Sequence, residues 1–121
     1  MSVILIVEDE PFTRELAVIC IDEWLHRTLI ADDMRSALAI VRSGQTIDAL
    51  FTDINLKDAR LGGCDLAREA IILHPQLRVL YTSGNQATDE LRSQFVSRAH
   101  FLGKPYTPDQ LRIGLDALLE A

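Results

Sequence analysis

Cysteine is scarce in this chain: two in 121 residues, Cys20 and Cys64, in no CxxC or Cys/His cluster. That scarcity excludes a disulfide framework and a thiolate zinc site, and both thiols are expected to stay reduced and partly buried. The three histidines, His26, His74 and His100, stand singly and suggest no imidazole metal site. Positive charge is also in short supply, with 12 lysines and arginines against 18 acids, a net charge of −6 and no basic run. The summed field repels phosphate backbones and anionic lipid, so no direct nucleic-acid or membrane partner is expected. Long hydrophobic runs are missing too. The opening MSVILIVEDE has a short apolar run that meets acid at Glu8, unlike a signal sequence. No stretch reaches the ~18 apolar residues of a membrane span. A cytoplasmic location is the expectation.

What is present is globular composition, 48% hydrophobic and 25% charged, in a length suited to one domain over residues 1–121. Val3 to Val7 is an unbroken run of β-rich residues, the pattern of a strand covered on both faces in a parallel sheet. Pro11 then sits at a helix start, with Phe12, Leu16, Ile19 and Cys20 at helical spacing up to about His26. Arg27 to Ala31 reads as a short strand, with Asp32-Asp33 as capping acids for a helix over Met34 to Arg42. Ile47 to Thr52 is a third strand ending at Asp53, followed by a loop from Asn55 to Gly63. A helix over Asp65 to Leu73, a strand over Leu77 to Thr82 and a polar helix over Ala87 to Arg98 come next. A strand over Ala99 to Leu102 and a helix over Pro108 to Leu119 finish the chain, so no effector domain is expected.

Alternating βα units imply an α/β fold, a doubly wound parallel sheet with right-handed crossovers. The ligand crevice of such a sheet lies at the carboxyl ends of its strands. Glu8 and Asp9 follow the first strand, Asp53 the third, Ser83 the fourth and Lys104 the fifth, so all should converge on one edge. Carboxylates gathered this way repel unless a cation sits among them. A hard divalent ion with oxygen ligands answers that need, and magnesium is the usual choice beside phosphate. Asp53 is then the candidate nucleophile toward phosphorus, with Lys104 stabilising the transferring group. Ser83 can hydrogen-bond an added phosphoryl oxygen, with Gly84 leaving space beside it. Ser83 as a simple helix cap is the competing view, and Thr82 is the competing hydroxyl, which strand alternation would turn away from the site.

With VEDE, FTDINL, TSG and LGKPY in this order, the chain resembles the response regulator receiver domains of two-component signalling, over essentially its whole length. The resemblance implies a five-stranded (βα)5 flavodoxin-like receiver fold of strand order 2-1-3-4-5. It implies that Asp53 is the phosphoacceptor, that Glu8, Asp9, Asp53 and the backbone carbonyl of Asn55 hold Mg2+, with Mn2+ as a substitute, and that Lys104, Ser83 and Gly84 meet the phosphoryl group. Ser83 and Phe101 would form the switch, although Phe101 also fits ordinary core packing. Asn55 and Asn85 would tune dephosphorylation or serve as plain loop residues. The implied donor is a sensor histidine kinase or histidine phosphotransfer protein. Output would pass by protein contact through the surface around the fourth helix, fifth strand and fifth helix, from a monomer or a dimer formed on activation. Departures from the commonest pattern are Glu-Asp at the acidic pair, Phe at position 101 and a slightly long loop over Lys57 to Gly63. The rivals are a receiver-like binding module that is not phosphorylated and an aspartyl-phosphate phosphohydrolase. In the second, Asn55 replaces the acid of a DxD nucleophile motif.

Overall fold

The structure, a computed structural model, describes residues 1–121. Five strands, β1 (Val3–Val7), β2 (Arg27–Ala31), β3 (Ala49–Asp53), β4 (Arg78–Ser83) and β5 (His100–Gly103), alternate with α1 (Pro11–Glu23), α2 (Met34–Val41), α3 (Gly62–Leu73), α4 (Asp89–Arg92) and α5 (Pro108–Glu120). All strand pairs are parallel and the order is β2-β1-β3-β4-β5. This is the expected doubly wound sheet.

Alternation along the strands explains the two layers. Leu5, Val7, Leu50, Val79 and Tyr81 point to one face and pack against α2 and α3 through Ala37, Val41, Leu66, Ala67 and Ala70. Ile4, Ile6, Phe51 and Leu80 point to the other and meet Ala17 and Ile21 of α1 and Leu111, Leu115 and Leu118 of α5. A strand buried on both sides must be apolar throughout, which is why β1 and β3 read as continuous runs. The starts of α1, α2 and α5 are secured by side chains. Glu10 accepts from Phe12 N and Thr13 N, Asp33 from Ser36 N, and Thr107 with Gln110 forms a capping box on α5.

Three boundaries differ from expectation by three residues or more. α1 stops at Glu23, because the chain turns through a left-handed Leu25 (φ 67°) before His26. α3 begins at Gly62, so the glycine pair lies in its first turn and not in a loop. The helix expected over Ala87 to Arg98 shrinks to the four residues Asp89–Arg92. Beyond Arg92 the amides of Gln94 and Phe95 make tight bonds to Leu91 O and Arg92 O, and Val96 N donates to the hydroxyl of Tyr81. Arg98 then adopts a left-handed φ of 65°. Tight local turns and one tertiary partner, the Tyr81 hydroxyl, have taken the amides that would extend the helix.

Candidate functional site

Strands β1, β3, β4 and β5 deliver polar groups to the carboxyl edge. At the end of β1, Glu8 is only 4% exposed, and its Oε2 accepts from Glu10 N at 3.2 Å. Its Oε1 lies 2.5 Å from Lys104 Nζ. Asp53 ends β3, 8% exposed, with Oδ2 3.0 Å from the same Nζ. One ammonium therefore bridges two nearly sealed carboxylates. Half-buried Asp9 turns its Oδ2 to the amide of Lys57 at 2.8 Å, which ties the β3–α3 loop to the acidic pair. Lys104 itself is anchored by its own amide, which donates to Ser83 O at 2.9 Å.

Burial raises Glu8 above the ordinary carboxyl range, and the nearby Asp53 charge adds to this, while the Lys104 ammonium works against it. For Lys104, burial favours the neutral amine, but the bonds to Glu8 and Asp53 outweigh it and the pKa rises. Oxygen atoms of Glu8, Asp9 and Asp53 all lie within 4.8 Å of one another. Three carboxylates against one ammonium leave an excess of two negative charges, the deficit that a divalent ion fills. The donors are all oxygen, as a hard cation requires. Asn55 O accepts no hydrogen bond from the protein, which leaves that carbonyl free for such an ion. The Asn55 side chain is occupied: its Oδ1 accepts from Leu61 N at 3.1 Å and shapes the loop.

Ser83 is 3% exposed and its Oγ accepts from Asn85 N at 3.1 Å. It lines, with Gly84, Asn85, Phe101 and Lys104, an open cavity of about 420 Å³. A methyl group added at Gly84 would meet nothing within 4 Å, so the space there does not depend on glycine. Thr82 is absent from the cavity lining, as alternation along the strand predicts for the neighbour of Ser83. Its Cα pairs in register with Asp53, and its hydroxyl is sealed without a partner. Phe101 stacks on Phe95 (6.2 Å between centroids), which stacks on Tyr81 at 4.2 Å, so the ring stands between cavity and core.

Sequence reasoning missed two structural supports. Gly63 donates its amide to Ile54 O at 2.8 Å, and a Cβ there would lie 2.1 Å from Asp53 O. α3 thus presses directly on the backbone of Asp53, and the Gly62-Gly63 pair after a strand was the available signal. Tyr106 packs edge-on against Phe51 at 5.9 Å, and burial followed by the Glu8 charge raises its phenol pKa. The aromatic next to Pro105 carried no separate signal.

The chain is similar to a response regulator receiver protein from Sinorhizobium medicae WSM419, with a TM-score of 0.90 and 28% identity, covering 99% of this chain and 95% of that one. It is also similar to NtrX from Brucella abortus (TM-score 0.84, 32% identity), covering 98% of this chain and 27% of the longer one. The non-phosphorylated HemR receiver domain from Leptospira biflexa shares the fold at a TM-score of 0.87 and 24% identity, over 100% of this chain and 96% of that one. The model of the response regulator receiver domain matches residues 4–116. The parallel five-stranded sheet with acids and lysine at its carboxyl edge therefore belongs to a member of the response regulator receiver domain family.

Proposed function

We propose that Asp53 accepts a phosphoryl group from a histidine of a sensor kinase or phosphotransfer protein, and that the acyl phosphate switches a protein-binding surface. The observation that carries this reading is the position of Lys104 Nζ, 2.5 Å from Glu8 and 3.0 Å from Asp53 at the end of the central strand. In the step proposed, an Asp53 carboxylate oxygen forms a bond to phosphorus while the donor's P–N bond breaks, and the departing imidazole keeps the electron pair and takes a proton. Lys104 holds the acceptor oxygen and faces the charge that builds on the phosphoryl oxygens. Magnesium or manganese, held by Glu8, Asp9, Asp53 and the Asn55 carbonyl, would supply further positive charge there when bound.

Ser83 then donates its hydroxyl to a phosphoryl oxygen and gives up its bond from Asn85 N, and Phe101 follows on the other side of the cavity. Output passes through α4, β5 and α5. Asn55 and Asn85 set how fast the acyl phosphate is hydrolysed. The test is a titration of the 121-residue chain with beryllofluoride and magnesium, or with acetyl phosphate, followed by amide spectra. Shifts at Ser83, Lys104 and Phe101 in wild type but not in Asp53→Asn are expected. A wild type without any metal-dependent response overturns the reading.

A further inference from the structure

We propose that Arg92 is a second phosphoryl-binding cation, which leaves the Phe101 ring to meet the acyl phosphate on Asp53 and so couples phosphorylation to release of that ring. The inference rests on Asp53 as acceptor and adds a regulatory residue to the same site. Arg92 closes the one-turn α4 and lines the same cavity of about 420 Å³ as Ser83, Lys104 and Phe101. Its guanidinium carbon stands 5.9 Å from the centre of the Phe101 ring, and its Nε donates to Ala87 O at 3.2 Å. No carboxylate pairs with it. The acids within ion-pair reach of a cation are taken by Arg42, Lys57, Arg68, Lys104 and Arg112.

Charge says why such an arginine is needed. Lys104 is already shared between Glu8 and Asp53. The acidic cluster exceeds its ammonium by two charges, which a divalent ion neutralises. Turning the Asp53 carboxylate into an acyl phosphate brings about −1.5 to −2 units to that position, so roughly one negative charge is left over. A guanidinium supplies that charge, and its planar fork fits two phosphoryl oxygens.

Motion is cheap on this segment. Thr88, Asp89, Glu90, Arg92 and Ser93 are all exposed, and few buried contacts resist a shift of α4. When Arg92 turns to the phosphoryl group, Phe101 loses its cation and keeps its stack on Phe95, at the end of the row that leads to Tyr81. The surface change then begins at the ring.

The experiment uses the full chain with magnesium and beryllofluoride. In 1H–15N spectra the Arg92 Nε–H signal, assigned by its loss in Arg92→Gln, is expected to shift on adding beryllofluoride to wild type and to stay put in Asp53→Asn. The apparent beryllofluoride dissociation constant is expected to rise about tenfold in Arg92→Gln and about threefold in Arg92→Lys, which keeps the charge but not the fork. Binding of magnesium alone should be the same in all three. If Ser83 and Lys104 amides respond while the Nε–H signal does not, and Arg92→Gln binds within about twofold of wild type, the inference on Arg92 is overturned and Asp53 stands. A wild type that shows no response to beryllofluoride overturns both.

Discussion

Replacing Asp53 with Asn should stabilise the metal-free protein, although it removes a hydrogen-bonded ion pair. At an effective dielectric constant of about 20, the pair of Asp53 with Lys104 at 3.0 Å is worth about 5.5 kcal/mol. Repulsions of Asp53 from Glu8 and from Asp9, each across no more than 4.8 Å, come to about 3.5 kcal/mol apiece on the same scale. Repulsion wins by about 1–2 kcal/mol, and a neutral amide escapes the cost of keeping a charge at a nearly sealed position. Lys104 keeps Glu8 at 2.5 Å, so the substitution strands no buried cation. At this chain length that gain raises the melting temperature by about 4–8 °C. Magnesium should narrow the gap. At ten times its dissociation constant it adds about 1.4 kcal/mol to wild type, or about 4–7 °C, while the variant has lost a ligand and gains less. Thermal melts by far-ultraviolet circular dichroism, in a chelator and again in magnesium, measure both effects. A variant that melts below wild type in the chelator, or equal magnesium shifts in the two proteins, would refute the electrostatic reasoning.

Thr82→Val removes a sealed, unpartnered hydroxyl without changing shape, so urea unfolding should show a gain of about 1 kcal/mol. The same variant should keep the beryllofluoride response that Ser83→Ala weakens, which separates the two adjacent hydroxyls. Gly63→Ala forces a methyl group to within 2.1 Å of Asp53 O and should cost about 1–3 kcal/mol or more in the same assay, with shifted amide signals at Asp53 and Ile54. Both tyrosines should resist ionisation: burial pushes Tyr81 from 10.0 up to about 12 and also raises Tyr106. Because the fold favours the neutral phenol, the stability from Tyr81 is fully present below pH 10 and is lost as pH rises through about 12. Ultraviolet difference absorbance of folded and urea-unfolded protein measures this, and a folded-state midpoint near 10 for either ring would contradict the burial.

The fold could be read from the chain where one physical requirement dominated. A strand between two helical layers has no face on which to carry polar side chains, so VILIV and the stretch ending ALFTD announced themselves. Reading failed where a distant partner decided. Nothing in the segment Ala87 to Arg98 says that the Val96 amide will bond to the Tyr81 hydroxyl, yet that bond helps end α4 after one turn. Gly62-Gly63 looks like a loop in isolation. It opens a helix because only a residue without Cβ can bring α3 against the carbonyl of Asp53.

The site divides in the same way. A parallel sheet carries every strand end to one edge, so Glu8, Asp9, Asp53 and Lys104 could be gathered without knowing any distance. Alternation along one strand separates Ser83 from Thr82, while the register of Thr82 with Asp53 is set between two strands. Arg92 could not be singled out, since its relevance depends on where a shortened helix leaves it. A net charge of −6 requires that a phosphate site collect its cations locally. The geometry makes that requirement stricter. The lysine that should meet the phosphate is already committed to two carboxylates. For the proposed phosphorylation of Asp53, a receiver built this way needs positive charge beyond Lys104, and in that proposal the groups that bring it decide which part of the surface moves.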